Sequence, residues 1–188
     1  MRMPGTSRRP GPVPEPPSEF RPSALPEFRP SALLSRLAAA RVDYVVVGGF
    51  AGLMHGMTLP TRDLDICCAT DTGNLDRLGQ MLVDLGARLR GVAADIPFVP
   101  DGRTLRRTQI LTLDTSAGPL DLLVDPSGSP GYAALSDRAL RVEWADTTIK
   151  VASLEHLIAM KRAAGRPKDL LALEELQAIQ RILRERGP

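Results

Sequence analysis

Asp63 and Asp65 stand two apart in VVVGGFAGLMHGMTLPTRDLDICC, residues 45–68, a stretch that otherwise reads as buried strand, turn and strand. A strand alternates its side chains, so the two carboxylates share a face with Cα atoms roughly 6.5–7 Å apart. Leu64 and Ile66 then point the other way, into the core. Two like charges held that close repel, and burial raises the cost. A hard divalent cation reverses the sign, because Mg²⁺ takes one or two carboxylates and completes its shell with substrate phosphates. Gly48 and Gly49 lie where the preceding strand gives way to a short helix. Backbone amides at such a place can face a phosphate with no Cβ in the way. Either signal alone is weak; together in one strand–Gly-Gly–helix–strand unit they are much stronger.

A third carboxylate is available. PLDLLVDP sets Asp121 between apolar neighbours of a second predicted strand, and a buried carboxylate needs a partner. The ordinary alternative is an aspartate at a strand edge, bonded to a nearby turn. If its strand lies beside DLDI, three carboxylates converge as in two-metal phosphoryl or nucleotidyl transfer. Asp125 is the weaker candidate, since DPSG makes a good turn by itself.

Elements must position these groups. PSALLSRLAAARV has helical spacing and leads into the strand DYVVV, with DLDICC as the second strand. TGNLDRLGQMLVDLGA puts Leu75, Leu78, Met81, Leu82 and Leu85 on one helix face. ARLR reads as a short strand, and residues 91–107 as a mobile loop. TQILTLDTSAGPLDLLVDPSG and ALRVEWADTTIKVAS read as hairpins. SLEHLIAMKRAA and KDLLALEELQAIQRILRER are helices broken at Gly165–Pro167. The expectation is an α+β fold: one mixed sheet flanked by helices over 31–188, with a helical C-terminal segment from about 153.

Nine of the seventeen prolines stand before residue 31, so residues 1–30 are expected to form a disordered or polyproline-like tail. EFRPSAL at 19–25 recurs at 27–33; one duplication makes no solenoid, and only the second copy is expected to join the fold. The alternative is a docking peptide built on Phe20 and Phe28.

The net charge of +2 and pI near 8.8 permit a nucleic-acid partner without requiring one. Cys67 and Cys68 are adjacent in an apolar run, which suits a reduced core. Two cysteines with the distant His55 and His156 make a poor zinc set. No apolar run has the length of a membrane span and no signal-peptide pattern opens the chain, so a cytoplasmic protein without membrane partners is expected. Arg103, Arg106 and Arg107 are candidates for an RNA backbone, with a solvated edge as the plain alternative. Few aromatic residues are present for stacking splayed RNA bases.

Residues 45–66 resemble the signature of the nucleotidyltransferase superfamily related to DNA polymerase β: strand, Gly-Gly, short helix, then Thr-x-Asp-h-Asp at Thr61, Asp63 and Asp65. VASLEHLIAMKRAAGRPKDLLALEEL resembles a helical segment of the AbiEii/MenT toxin branch, and the likeness spans roughly residues 35–180. It implies an NTP whose triphosphate lies at Gly48 and Gly49, a hydroxyl contact from Thr61, and Mg²⁺ (or Mn²⁺) on Asp63 and Asp65. Lys161 and Asp169 match a lysine and a later acid that matter for activity in that branch. Plainer readings are a solvated helix residue for Lys161 and a favourable helix start for Asp169. Many members carry a third acid acting on the acceptor hydroxyl, a place that Asp121 suits and that some toxins leave out. The implied function is transfer of NMP to an RNA acceptor, first of all the tRNA 3′ end, with a cognate antitoxin as protein partner. Two alternatives stand beside it: a small-molecule or protein hydroxyl as acceptor, and a non-catalytic nucleotide-binding antitoxin or regulatory module.

Overall fold

A computed structural model describes residues 27–93 and 96–187. Seven strands form one mixed sheet, β1 (Tyr44–Val47), β2 (Leu64–Cys68), β3 (Arg88–Leu89), β4 (Ile110–Thr115), β5 (Gly118–Leu123), β6 (Leu140–Trp144) and β7 (Thr147–Val151), in the order β3-β4-β5-β2-β1-β7-β6. The central strand β1 is buried along its whole length, as its unbroken run of apolar residues requires. β1 runs antiparallel to β2 and parallel to β7, and β2 runs parallel to β5. β4–β5 and β6–β7 are the two antiparallel hairpins read from the sequence.

Helices flank this sheet: α1 (Pro30–Ala39), α2 (Gly48–Met54), α3 (Thr72–Asp84), α4 (Gly102–Arg107), α5 (Tyr132–Asp137), α6 (Leu154–Ala164) and α7 (Pro167–Arg186). The mixed α+β architecture with a helical C-terminus is therefore the one expected. α1 starts with proline at its first turn and buries Leu33, Leu34 and Leu37. α3 is capped by Asp71, whose side chain accepts from Asn74 N–H at 2.9 Å, and Leu75, Leu78, Met81, Leu82 and Leu85 are buried as expected. Asn74 itself is fully buried, donating to the Ala69 and Asp43 carbonyls and accepting from Asp43 N–H.

Three local readings differ. The helix expected after the glycines includes them, because Gly48 takes φ +66° and turns the chain at once. Residues 102–107, read as loop, form α4 with Asp101 as its cap. α5 carries no clear periodicity and was not expected; it buries one side chain, Leu135.

The first EFRPSAL copy and the rest of residues 1–26 lie outside the described residues. The second copy packs Phe28 edge-on against Phe50 at 6.2 Å between ring centroids. Arg29 N–H donates to the Ala117 carbonyl at 3.1 Å, and Ser31 Oγ accepts from Trp144 Nε1 at 3.1 Å. Cys67 and Cys68 are buried free thiols, pushed up to about 12 and about 11 first of all by burial, which leaves them inert. No helix among the described residues is long and apolar enough to cross a membrane.

Candidate active site

The carboxylates meet because of register. β2 and β5 lie side by side in parallel with Asp65 opposite Asp121, so both side chains leave the same face of the sheet. Asp63 stands one residue before β2, on the way into the same cleft. That cleft has a volume of about 560 Å³, and Gly48, Gly49, Thr61, Asp63, Asp65, Asp121, Lys161 and Asp169 all line it.

The glycines have a more specific reason than open space for a phosphate. A Cβ on Gly48 would stand 1.9 Å from Asp65 Oδ2, and one on Gly49 would stand 2.7 Å from Thr61 Oγ1. The places of the missing side chains are thus filled by Asp65 and Thr61. Thr61 Oγ1 donates to Asp63 Oδ1 at 2.9 Å, so its proton is engaged within the site. Thr61 thus holds Asp63, and Gly49 N–H donates to Asp65.

The opposite wall comes from α6 and α7, joined through Gly165 in the left-handed conformation. Asp169 lies in the first turn of α7, as an acid favoured by the helix dipole would. Its surroundings go well beyond that: it is fully buried and holds Lys161 Nζ at 2.9 Å, Arg166 Nε at 2.5 Å and Arg166 Nη2 at 3.3 Å. Burial pushes its carboxyl up, but the bonds from Arg166 and Lys161 outweigh this and hold it at about 2. Both of its oxygens are therefore committed to cations. Lys161 is not a solvated helix residue; its side chain is 15% exposed and faces the cleft.

Replacing Asp169 with alanine leaves two neighbouring cations unpaired, one of them largely buried. An expected loss of roughly 3 kcal/mol follows, read by urea unfolding at pH 7. Asp169's folded value lies below the ordinary carboxylate range, so its contribution is present above that range and is lost as pH falls through about 2. An unchanged unfolding midpoint in the variant would deny the ion pair any structural role.

Electrostatics around the acids favour a bound cation. Burial pushes Asp65 up to about 7, Asp63 and Asp121 add to this, and Lys161 with Gly49 N–H opposes it. Asp121 is likewise raised by burial, against the pull of Arg90. Asp121 Oδ1 is buried and stands 2.9 Å from Arg90 Nη2, an ion-pair distance. Partly buried carboxylates lining one cleft are a donor set that suits Mg²⁺ or Mn²⁺. Among the described residues no three His, Cys, Asp or Glu side chains are grouped closely enough to enclose an ion unaided. Two carboxylates with substrate phosphates to complete the shell fit this arrangement.

Arg166, Lys168 and Arg90 were not singled out from the sequence, although a buried Asp121 implied some partner. Nothing in a chain rich in arginine marks which one. Arg103, Arg106 and Arg107 do not line the cleft; α4 packs on α3, and Arg106 donates to Thr72 Oγ1 at 2.8 Å. His55 Nε2 contacts the Ala152 carbonyl at 2.8 Å in a packing role, and neither histidine nor Asp125 reaches the cleft.

No family model and no curated protein matches this sequence. Among solved structures it is similar to the lincosamide antibiotic adenylyltransferase LnuA, lincomycin-bound, with a TM-score of 0.55 and 17% identity over 81% of this chain and 99% of that one. ANT(2")-Ia in complex with adenylyl-2"-tobramycin aligns at a TM-score of 0.45 and 16% identity, over 83% of this chain and 97% of that one. The likeness to LnuA shows the fold, which is that of a nucleotidyltransferase.

Proposed function

We propose that this protein transfers a nucleotidyl group from an NTP to an acceptor hydroxyl, releasing pyrophosphate. The observation that carries the reading is the in-register pair Asp65 and Asp121 beside Gly48, facing Lys161 across one cleft. Lys161, Arg166 and Lys168 bind the triphosphate from the helical wall, with Asp169 fixing the aim of the first two. Asp63 and Asp65, joined by Asp121, hold Mg²⁺ or Mn²⁺ against the phosphates. When bound, the metal neutralises phosphate charge and increases the acidity of the acceptor hydroxyl. Asp121 accepts the hydroxyl proton. The hydroxyl oxygen then bonds to the α-phosphorus as the bond to the β-phosphate's bridging oxygen breaks. Most of the catalysis is positioning and charge compensation.

The acceptor we place first is an RNA 3′ end, tRNA above all, in a toxin that blocks translation and is paired with an antitoxin. It draws support from the likeness of residues 151–176 to the toxin branch. A small-molecule hydroxyl is the second reading, favoured by a fold shared with a lincosamide adenylyltransferase over nearly that enzyme's whole length. One assay separates them: purified protein, Mg²⁺ and each α-labelled NTP in turn, with total tRNA or with a panel of lincosamides and aminoglycosides. Label on tRNA supports the first reading, and label on a drug supports the second. No label on either acceptor, with Asp65→Ala indistinguishable from wild type, would remove the case for transfer.

A further inference from the structure

We propose that Arg90 is a positioning residue for Asp121: it pins one carboxylate oxygen from behind and leaves the other to serve the cleft. The meaning of Asp121 here rests on the nucleotidyl-transfer reading, whereas the contact itself does not.

Arg90 follows the short edge strand β3 and is fixed entirely by β4. Its N–H donates to the Thr112 carbonyl at 2.9 Å, its Nε to Asp114 Oδ1 at 3.0 Å, and its Nη2 to the Leu113 carbonyl at 2.8 Å. The guanidinium is therefore held in place without any help from Asp121. Thr112 lies directly opposite Asp121 in the β4–β5 ladder, which brings the same Nη2 to 2.9 Å from Asp121 Oδ1. Oδ1 is buried and lies at ion-pair distance from this fixed cation, so the charge of Arg90 orients the carboxylate. Turning Oδ1 away would separate a partly buried ion pair, an unfavourable move with side chains only 28% and 15% exposed. Oδ2 is left as the oxygen available to the cleft.

Charge distribution gives Arg90 a second effect. Lys161 and Arg166 are bound to Asp169 on the helical wall, so among the described residues Arg90 is the cation that forms an ion pair with Asp121 on the sheet. A positive charge there weakens the hold of Asp121 on any other cation. Arg90 thus tempers the hold of Asp121 on the metal and leaves its other oxygen able to take the acceptor proton.

Mn²⁺ alone, followed by electron paramagnetic resonance in the full-length protein, tests this without the reaction. Arg90→Gln is expected to bind Mn²⁺ at least threefold more tightly than wild type. The gain should disappear in Arg90→Gln/Asp121→Asn compared with Asp121→Asn alone, since the effect passes through one carboxylate. With the labelled acceptor, Arg90→Gln should lower kcat ten- to hundredfold and leave the KM for NTP within twofold. Arg90→Lys keeps the charge without the fixed fork and should recover part of kcat. Asp114→Asn, which loosens Arg90 from a distance, should fall between. Unchanged Mn²⁺ affinity in Arg90→Gln, a gain that survives in the Asp121→Asn background, or no Mn²⁺ binding by any form would overturn the assignment. The expected Mn²⁺ pattern without any nucleotide transfer would instead remove the transfer reading and leave the Arg90–Asp121 coupling standing.

Discussion

Asp65→Asn is expected to abolish nucleotide transfer, by a factor of about 10³ or more, while raising the melting temperature at pH 8. The two effects share one cause. Asp65 is pushed up to about 7 by burial and by Asp63 and Asp121, so its charge opposes folding whenever it is ionised without a counter-ion. An acid with a raised folded value contributes stability that is present below its ordinary value and is lost as pH rises through the folded one. The gain from asparagine is therefore full above about pH 7 and shrinks to nothing near pH 4. Each pKa unit is worth about 1.4 kcal/mol, which suggests a gain of roughly 2–4 kcal/mol at pH 8. For a domain of this size that is on the order of 5–10 °C. Mg²⁺ should raise the melting temperature of wild type at pH 8 and leave that of the variant almost unchanged. Thermal melts from pH 4 to 8, with and without Mg²⁺, decide the matter. A variant that melts lower than wild type at pH 8 would show that repulsion is not what dominates at Asp65.

Gly48→Ala should cost both stability and activity, and more than an exposed glycine substitution would. Two penalties coincide: φ +66° is strained for alanine, and its Cβ would fall 1.9 Å from Asp65 Oδ2. The backbone term is about 1–2 kcal/mol, and displacing Asp65 adds roughly 1–3 kcal/mol. Transfer should drop at least a hundredfold, because a misplaced ligand group is costly even at about 1 Å. The terms separate in the Gly48→Ala/Asp65→Ala double variant. With no carboxylate left to strike, only the backbone penalty should remain, compared with Asp65→Ala alone. Urea unfolding of the four forms measures the coupling, and strict additivity would place the cost elsewhere than in the contact with Asp65.

Asp63, Asp65, Gly48 and Gly49 were marked by type and spacing alone, and all four line one cleft. Their periodicity is local: alternation in a strand and a turn after it are fixed within a few residues. The reason for the glycines was less visible, since a tight turn accounts for them equally well without the approach of Asp65 and Thr61. Asp169 was the reverse case, plausible as a helix-start acid and found as the buried partner of two cations.

The sequence by itself determined the local content: a fully apolar central strand, the Gly-Gly turn, the Asp63-Leu64-Asp65 alternation, two hairpins and a pair of C-terminal helices broken at Gly165. Only the tertiary structure decided that β5 lies beside β2 with Asp121 level with Asp65, that α6–α7 brings Lys161 across from them, and that Arg90 rather than another arginine stands behind Asp121. The division has a physical basis. Backbone geometry imposes its period on neighbouring residues, whereas strand adjacency and the choice of ion-pair partner depend on closing long loops around a shared core. That choice leaves no trace in the spacing of the residues that make it.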